Sequence, residues 1–205
     1  MSKCVKIKLE KIEVITLKKD NRLYEDSIIL IGPSGAGKST IATDMKSRLG
    51  MPRVSLDKLT SVARKSGYRA KFRTADEFNC YMIHSLVEEA KNNAPDTPYV
   101  VDFGAGHSIY KDKEIFKRVK QDLKPFKNVV LLLPCKDEQK ALKIMAERST
   151  GDTSENLEFL RNPCNKELAT MIVYAEGRTP QEITEEIMDC IEKRKKQEKN
   201  TWDIE

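Results

Sequence analysis

Residues 32–39 constrain the fold more than any other part of the chain. They read Gly-Pro-Ser-Gly-Ala-Gly-Lys-Ser and lie between an apolar run and an amphipathic segment. The apolar run, residues 27–31, is typical of a buried parallel strand, and residues 39–49 predict a helix that ends at Gly50. The pattern G-x-x-x-x-G-K-S between a strand and a helix is a phosphate-binding loop. The sequence therefore predicts a nucleotide-binding site.

The side chains of this loop have separate expected roles. Glycines let backbone N–H groups converge on phosphate oxygens, and the start of the following helix adds partial positive charge. We expect Lys38 to reach the β- and γ-phosphates and the Ser39 hydroxyl to bind Mg²⁺. The expected nucleotide ligands in this segment are Gly32, Ser34, Gly35, Ala36, Gly37, Lys38, Ser39 and Thr40.

Composition narrows the class of protein. The chain has 205 residues, a normal size for one α/β domain. No run approaches the ~18 apolar residues of a membrane span, and the five cysteines include no C-x-x-C pair. We expect a cytoplasmic protein without a zinc site or disulfide framework. The cations from residue 193 to 199 are interpreted as a solvated helix end, because no aromatic residues interleave with them; nucleic acid is therefore not the expected partner.

Apolar strands alternate with helical segments along most of the chain. This order predicts a five-stranded parallel sheet with helices on both faces, in the three-layer α/β arrangement. We expect a domain over residues 27–192, preceded by one or two antiparallel strands within residues 1–26 and followed by a charged tail at 193–205. The predicted strands are residues 27–31, 52–56, 98–103, 129–133 and 169–174.

Two carboxylates are expected at the ends of strands, where ligands bind in such sheets. Asp57 follows the second predicted strand, and Asp102 ends the third after Tyr99-Val100-Val101. Either carboxylate is suited to hold Mg²⁺ through water, and the other to orient or deprotonate an acceptor hydroxyl. The alternative is that they cap the helices that follow.

Four segments together resemble shikimate kinase and its small P-loop kinase relatives. They are the loop and helix at 32–49, Ser55-Leu56-Asp57 in place of the family's Asp-x-Asp, Gly104-Ala105-Gly106 in place of a triple glycine, and Arg161-Asn162-Pro163 with the later Gly177-Arg178-Thr179-Pro180. The resemblance implies the P-loop NTPase fold, ATP and Mg²⁺ as cofactors, and a lid over about 149–160.

The resemblance also implies site residues. Arg161 matches the arginine that binds the substrate carboxylate, while Arg148 and Arg178 lie on the adenine side. The substrate residues it suggests are Asp57, Gly104, Ala105, Gly106, His107 and Arg161, and the metal residues Ser39, Asp57 and Asp102. His107 is equally well explained as a turn residue.

The chain also departs from the family pattern. Ser55 replaces the first acid, Asn79 falls near the second substrate arginine, and Glu155 lies where a lid arginine is expected. We therefore expect a kinase that acts on a small anionic acceptor other than shikimate, with Lys38, Asp57 and Asp102 as catalytic residues. Two alternatives stay open: a nucleotide-binding regulator with weak ATPase activity, which could meet a protein partner through its N-terminal strands, and a nucleic-acid end kinase.

Overall fold

A computed structural model describes residues 26–93, 97–148 and 153–202. Apart from residue 26, the predicted N-terminal strands lie outside these residues. In the described part of the chain, no helix is long and apolar enough to span a membrane.

The described residues form one sheet of five parallel strands, as predicted. The strands are β1 Ile28–Ile31, β2 Arg53–Ser55, β3 Val100–Asp102, β4 Asn128–Leu133 and β5 Met171–Tyr174. The sheet runs in the order β2-β3-β1-β4-β5, with every neighbouring pair parallel. The three central strands are almost entirely buried, as expected for strands covered on both faces, whereas the edge strands β2 and β5 are partly exposed.

Helices connect the strands and cover the sheet. Several begin or end where the sequence supplies a capping residue: Ser55 accepts a bond from the Lys58 N–H, Asp112 from the Glu114 and Ile115 N–H groups, and Gly50 ends its helix in the left-handed conformation. The helices within the described ranges are α1 Lys38–Leu49, α2 Leu56–Lys65, α3 Ala75–Asn93, α4 Lys113–Leu123, α5 Glu138–Arg148, α6 Thr153–Arg161, α7 Pro163–Leu168 and α8 Pro180–Trp202, with 3-10 turns at Tyr68–Lys71 and Ala105–His107.

Alternate residues of the central strand enter different hydrophobic clusters on the two faces of the sheet. Ile29 and Ile31 belong to a cluster with residues of α2, α3 and α4. Ile28 and Leu30 belong to a cluster with residues of α1 and α8. Each face of the sheet therefore has its own core.

In two segments the structure adds detail to the sequence-based expectation. The segment expected to form a lid is helical from Thr153 to Arg161, where buried Asn156 and half-buried Leu157 and Leu160 form an inward face. Residues 149–152 lie outside the described part. The basic run, interpreted from the sequence as a solvated helix end, is helical and lies within α8. Arg194 in that run donates to the Lys127 carbonyl and to Asn128 Oδ1, both at 2.7 Å, and so anchors the helix to the start of β4.

Candidate active site

A cleft of about 910 Å³ lies at the carboxyl ends of the strands. It is bounded by the phosphate-binding loop, the two strand-end carboxylates and the glycine turn after β3. Four predicted site residues, Gly32, Gly106, His107 and Arg161, do not line it. The predicted residues that it brings together are Ser34, Gly35, Ala36, Gly37, Lys38, Ser39, Thr40, Asp57, Asp102, Gly104, Ala105, Arg148 and Arg178.

The conformation of the phosphate-binding loop depends on its glycines. Gly32 has φ +132°, and a Cβ there would lie 2.3 Å from the Leu132 carbonyl oxygen, so only glycine fits. Gly37 has φ +100° at the N-cap of α1 and has no side chain to cap the first N–H groups of the helix. These N–H groups are therefore suited to donate to phosphate oxygens.

Lys38 is buried at the base of the loop. Its Nζ donates to the Gly32 carbonyl at 2.7 Å and to the Pro33 carbonyl at 2.8 Å. Burial lowers the pKa of Lys38 to about 8, although the charges of Asp102 and Asp57 act in the opposite direction. A bound phosphate would add negative charge beside this ammonium and favour its protonated form.

Asp102 ends β3 and forms an ion pair with Arg53 of β2. The carboxylate is only 2% exposed, and Arg53 also donates to Thr43 Oγ1 of α1 at 2.6 Å. The pair therefore ties the predicted metal-binding acid to two neighbouring elements. Sequence reasoning missed Arg53, and the only available signal was a cation inside a predicted strand.

Asp57 lies exposed in the first turn of α2, against the glycine turn. The capping role considered for it belongs to Ser55. A Cβ on Gly104 would lie 2.4 Å from Asp57 Oδ1. The absent side chain at residue 104 therefore leaves room for this carboxylate beside the turn.

His107 is buried and joins the glycine turn to α2. Its Nδ1 lies 3.2 Å from the Gly104 carbonyl oxygen and its Nε2 lies 2.8 Å from Thr60 Oγ1. Burial lowers the pKa of His107 to about 4, so the ring is neutral near pH 7. This geometry favours the turn-residue interpretation.

Asn79 supports the same turn from α3. Its Nδ2 donates to the Gly106 carbonyl at 2.9 Å, and the side chain is buried. Where the family resemblance places a substrate arginine, this chain therefore has an amide that binds the backbone of the glycine turn. The sequence analysis identified position 79 as a departure from the family but did not predict this contact.

The remaining predicted arginines have different surroundings. Arg161 is 61% exposed and forms a bidentate pair with Glu138 at 2.7 and 2.9 Å, away from the cleft lining. Arg148 ends α5 next to Gly35, within the lining. Arg178 also lines the cleft, but it donates to the carbonyls of Tyr174 and Glu182, which holds the loop before α8.

The cleft suits a metal ion that is bound partly by phosphate. Among the described residues, no group of three or more His, Cys, Asp or Glu side chains could hold a metal. Ser39 and Asp57 are exposed in the lining, which buried Asp102 also reaches. Mg²⁺ commonly takes few protein ligands and completes its shell with phosphate and water, so these residues fit it.

Comparison with known proteins agrees with this geometry. A family model described as an AAA domain matches residues 28–131. A shikimate kinase from Enterococcus faecalis is 30% identical over 179 residues, which are 80% of this chain and 96% of that protein.

Solved structures share the fold. Shikimate kinase from Acinetobacter baumannii in complex with shikimate matches with a TM-score of 0.59 at 18% identity, over 85% of this chain and 97% of that chain. A gluconokinase from Sinorhizobium meliloti 1021 matches with a TM-score of 0.54 at 16% identity, over 84% and 94%. The family match, the curated relative and the shared fold lead to one conclusion: the chain belongs to the shikimate kinase-like P-loop kinases.

Proposed function

We propose that this kinase transfers the γ-phosphate of ATP to a hydroxyl of a small anionic molecule other than shikimate. The observation that carries the proposal is that one cleft joins Lys38 and its loop to Asp57, Asp102 and the glycine turn. We call residues 32–40 with Arg148 and Arg178 the loop side, and Asp57 with residues 104–107 the acceptor side.

On the loop side, backbone N–H groups and Lys38 are suited to bind the β- and γ-phosphates and to stabilise charge as the phosphoryl group moves. Ser39, with Asp102 acting through water, is suited to hold Mg²⁺. When bound, the ion neutralises phosphate charge.

On the acceptor side, Asp57 is suited to orient and deprotonate the attacking hydroxyl. It is exposed, it lies against Gly104, and no helix-capping role holds it. Gly104 and Ala105 line the cleft beside it and leave space for an acceptor.

Three positions argue against shikimate as that acceptor. Ser55 replaces an acid and caps α2, Asn79 binds the Gly106 carbonyl, and Arg161 is paired with Glu138. A site that binds a hydroxy acid through paired charges loses much affinity when those charges are missing or engaged elsewhere.

The test is an ADP-release screen with MgATP against sugar acids, hydroxy acids and sugar phosphates, with shikimate and uncharged sugars as comparators. We expect one anionic class to raise turnover above the ATPase background, and Asp57→Asn to abolish that increase while MgATP still binds. An ordinary kinase rate on shikimate would contradict the proposal.

A second candidate function is a nucleotide-binding regulator with weak ATPase activity. The observation in its favour is the ion pair between Asp102 and Arg53, which engages the expected metal-binding acid. The same screen separates the two, because a regulator would bind MgATP without stimulation by any acceptor.

A further inference from the structure

A basic surface follows Asp57 along the chain. Residues 58–73 contain six cationic side chains and no acidic one. In the part of the chain that the structure describes, none of the six forms an ion pair with a carboxylate. The six are Lys58, Arg64, Lys65, Arg69, Lys71 and Arg73.

Two of these cations meet at one aromatic ring. The guanidinium carbons of Arg64 and Arg69 lie 5.8 and 5.7 Å from the ring centroid of Phe78, which is fully buried. Arg69 also donates to the Phe72 carbonyl at 2.8 Å. Both guanidiniums therefore lie against one fixed ring, and among the described residues most of their N–H donors have no protein acceptor.

The position of Arg64 connects this pair to the acceptor side. Asp57, Thr60 and Arg64 recur at helical spacing along one face of α2, and Thr60 Oγ1 contacts His107. Burial is the main cause of the low pKa of His107, but the charge of Arg64 acts in the same direction, as expected for a nearby cation.

The ring itself is also connected to the acceptor side. Phe78 precedes Asn79, whose amide holds the Gly106 carbonyl. Helices α2 and α3, which carry Arg64 and the Phe78 ring, therefore both also contact the glycine turn.

We propose that Arg64 and Arg69 bind the anionic group of the acceptor, a phosphate or a carboxylate, while its hydroxyl faces Asp57. The assignment rests on the proposed function. It replaces Arg161, which Glu138 engages, and position 79, which carries no charge. Two guanidiniums suit an oxyanion because each can donate parallel hydrogen bonds to its oxygens.

The test is calorimetric titration of inorganic phosphate, and separately of acetate, into protein saturated with Mg²⁺ and the β,γ-imido analogue of ATP. The analogue fills the phosphate positions of the loop, so added phosphate cannot bind there. We expect saturable phosphate binding, weakened about tenfold or more in Arg64→Gln/Arg69→Gln. Stronger binding of phosphate than of acetate would identify a phosphate group, and the reverse a carboxylate.

Arg73→Gln is the matched control, since it removes a cation from the same segment but none from the Phe78 ring. It should leave anion binding unchanged. If the double variant does not fold, exposed Arg64→Gln alone should weaken binding about threefold or more.

The assignment is overturned if wild type shows no saturable anion binding, or if the double variant and wild type bind equally. Failure of the ATP analogue to bind would instead contradict the proposed function. The comparison of the double variant with Arg73→Gln would still decide the anion site in that case.

Discussion

The two sides of the cleft are built from different parts of the polypeptide. The loop side is mainly backbone, fixed by glycines such as Gly32, where a Cβ would lie 2.3 Å from a carbonyl oxygen. The acceptor side is a short turn beside Asp57 that side chains hold in place, through contacts such as His107 with Thr60 and Asn79 with the Gly106 carbonyl. A site fixed by its own glycine backbone tolerates few sequences, whereas a site held by side chains can change its ligand through single substitutions.

The largest expected effect is on the loop side. Lys38→Ala should lower ATP-dependent turnover about 100- to 1000-fold, because it removes the cation at the β/γ-phosphates. Its hydrogen bonds are to loop carbonyls, so circular dichroism should show an intact fold. Lys46→Ala, at an exposed lysine of the same helix, is the control. Normal turnover in folded Lys38→Ala protein would remove the loop from the mechanism.

Replacing Asp102 should destabilise the protein more than replacing Asp57. Asp102→Asn breaks a buried ion pair and leaves Arg53 without its partner, which should cost about 2–4 kcal/mol in the free energy of unfolding by urea. Asp57→Asn should cost less than about 1 kcal/mol, since Asp57 is exposed. Both should reduce turnover. Equal destabilisation would mean that Asp57 also has a structural role.

Two glycines of the turn offer a matched test of the acceptor side. A Cβ on Gly104 would lie 2.4 Å from Asp57 Oδ1, whereas one on Gly106 would meet only Asn79 Nδ2 at 3.8 Å. Gly104→Ala should therefore displace the carboxylate and lower acceptor turnover about tenfold. MgATP affinity should stay unchanged, and Gly106→Ala should resemble wild type. Similar kinetics for both variants would show that the position of Asp57 does not matter.

The smallest expected effect is the uptake of a proton by Lys38 when MgATP binds. With a pKa of about 8, Lys38 is largely neutral at pH 8.5 in the protein without nucleotide. Bound phosphates favour its charged form, so MgATP binding should take up roughly half a proton or more. Calorimetry in two buffers of different ionisation enthalpy measures this uptake. Lys38→Arg stays charged throughout and should show none; equal uptake by both proteins would assign the proton to another group.

Much of the fold could be predicted because it rests on local patterns. The apolar runs gave the five strands to within two residues at either end, and Gly50 marked the end of α1 as expected. The segment at 149–160 was harder because it is polar. Its helical part has buried Asn156 on its inner face, which hydrophobic periodicity does not detect.

The site, like the fold, has a part that local patterns predict and a part that depends on contacts between distant residues. The loop could be predicted because its chemistry needs fixed residue types at fixed spacing. The partner of Asp102 could not, since Arg53 lies 49 positions away and meets it only when β2 and β3 pair. The same holds for Asn79 with Gly106 and for Arg161 with Glu138, which are contacts between different elements.

The separate hydrophobic clusters on the two faces of the sheet have an evolutionary consequence. The loop side contacts the cluster shared with α8 through Ala36 and the adjoining Ile41. The acceptor side adjoins the other cluster at Leu56 and Phe103, which precede Asp57 and Gly104 in the chain. Mutations that repack one cluster can accumulate with little effect on the other, so a lineage can explore new acceptors while its use of nucleotide is preserved. Laboratory selection for a new acceptor would do best to randomise positions in the cluster that contains Leu56 and Phe103.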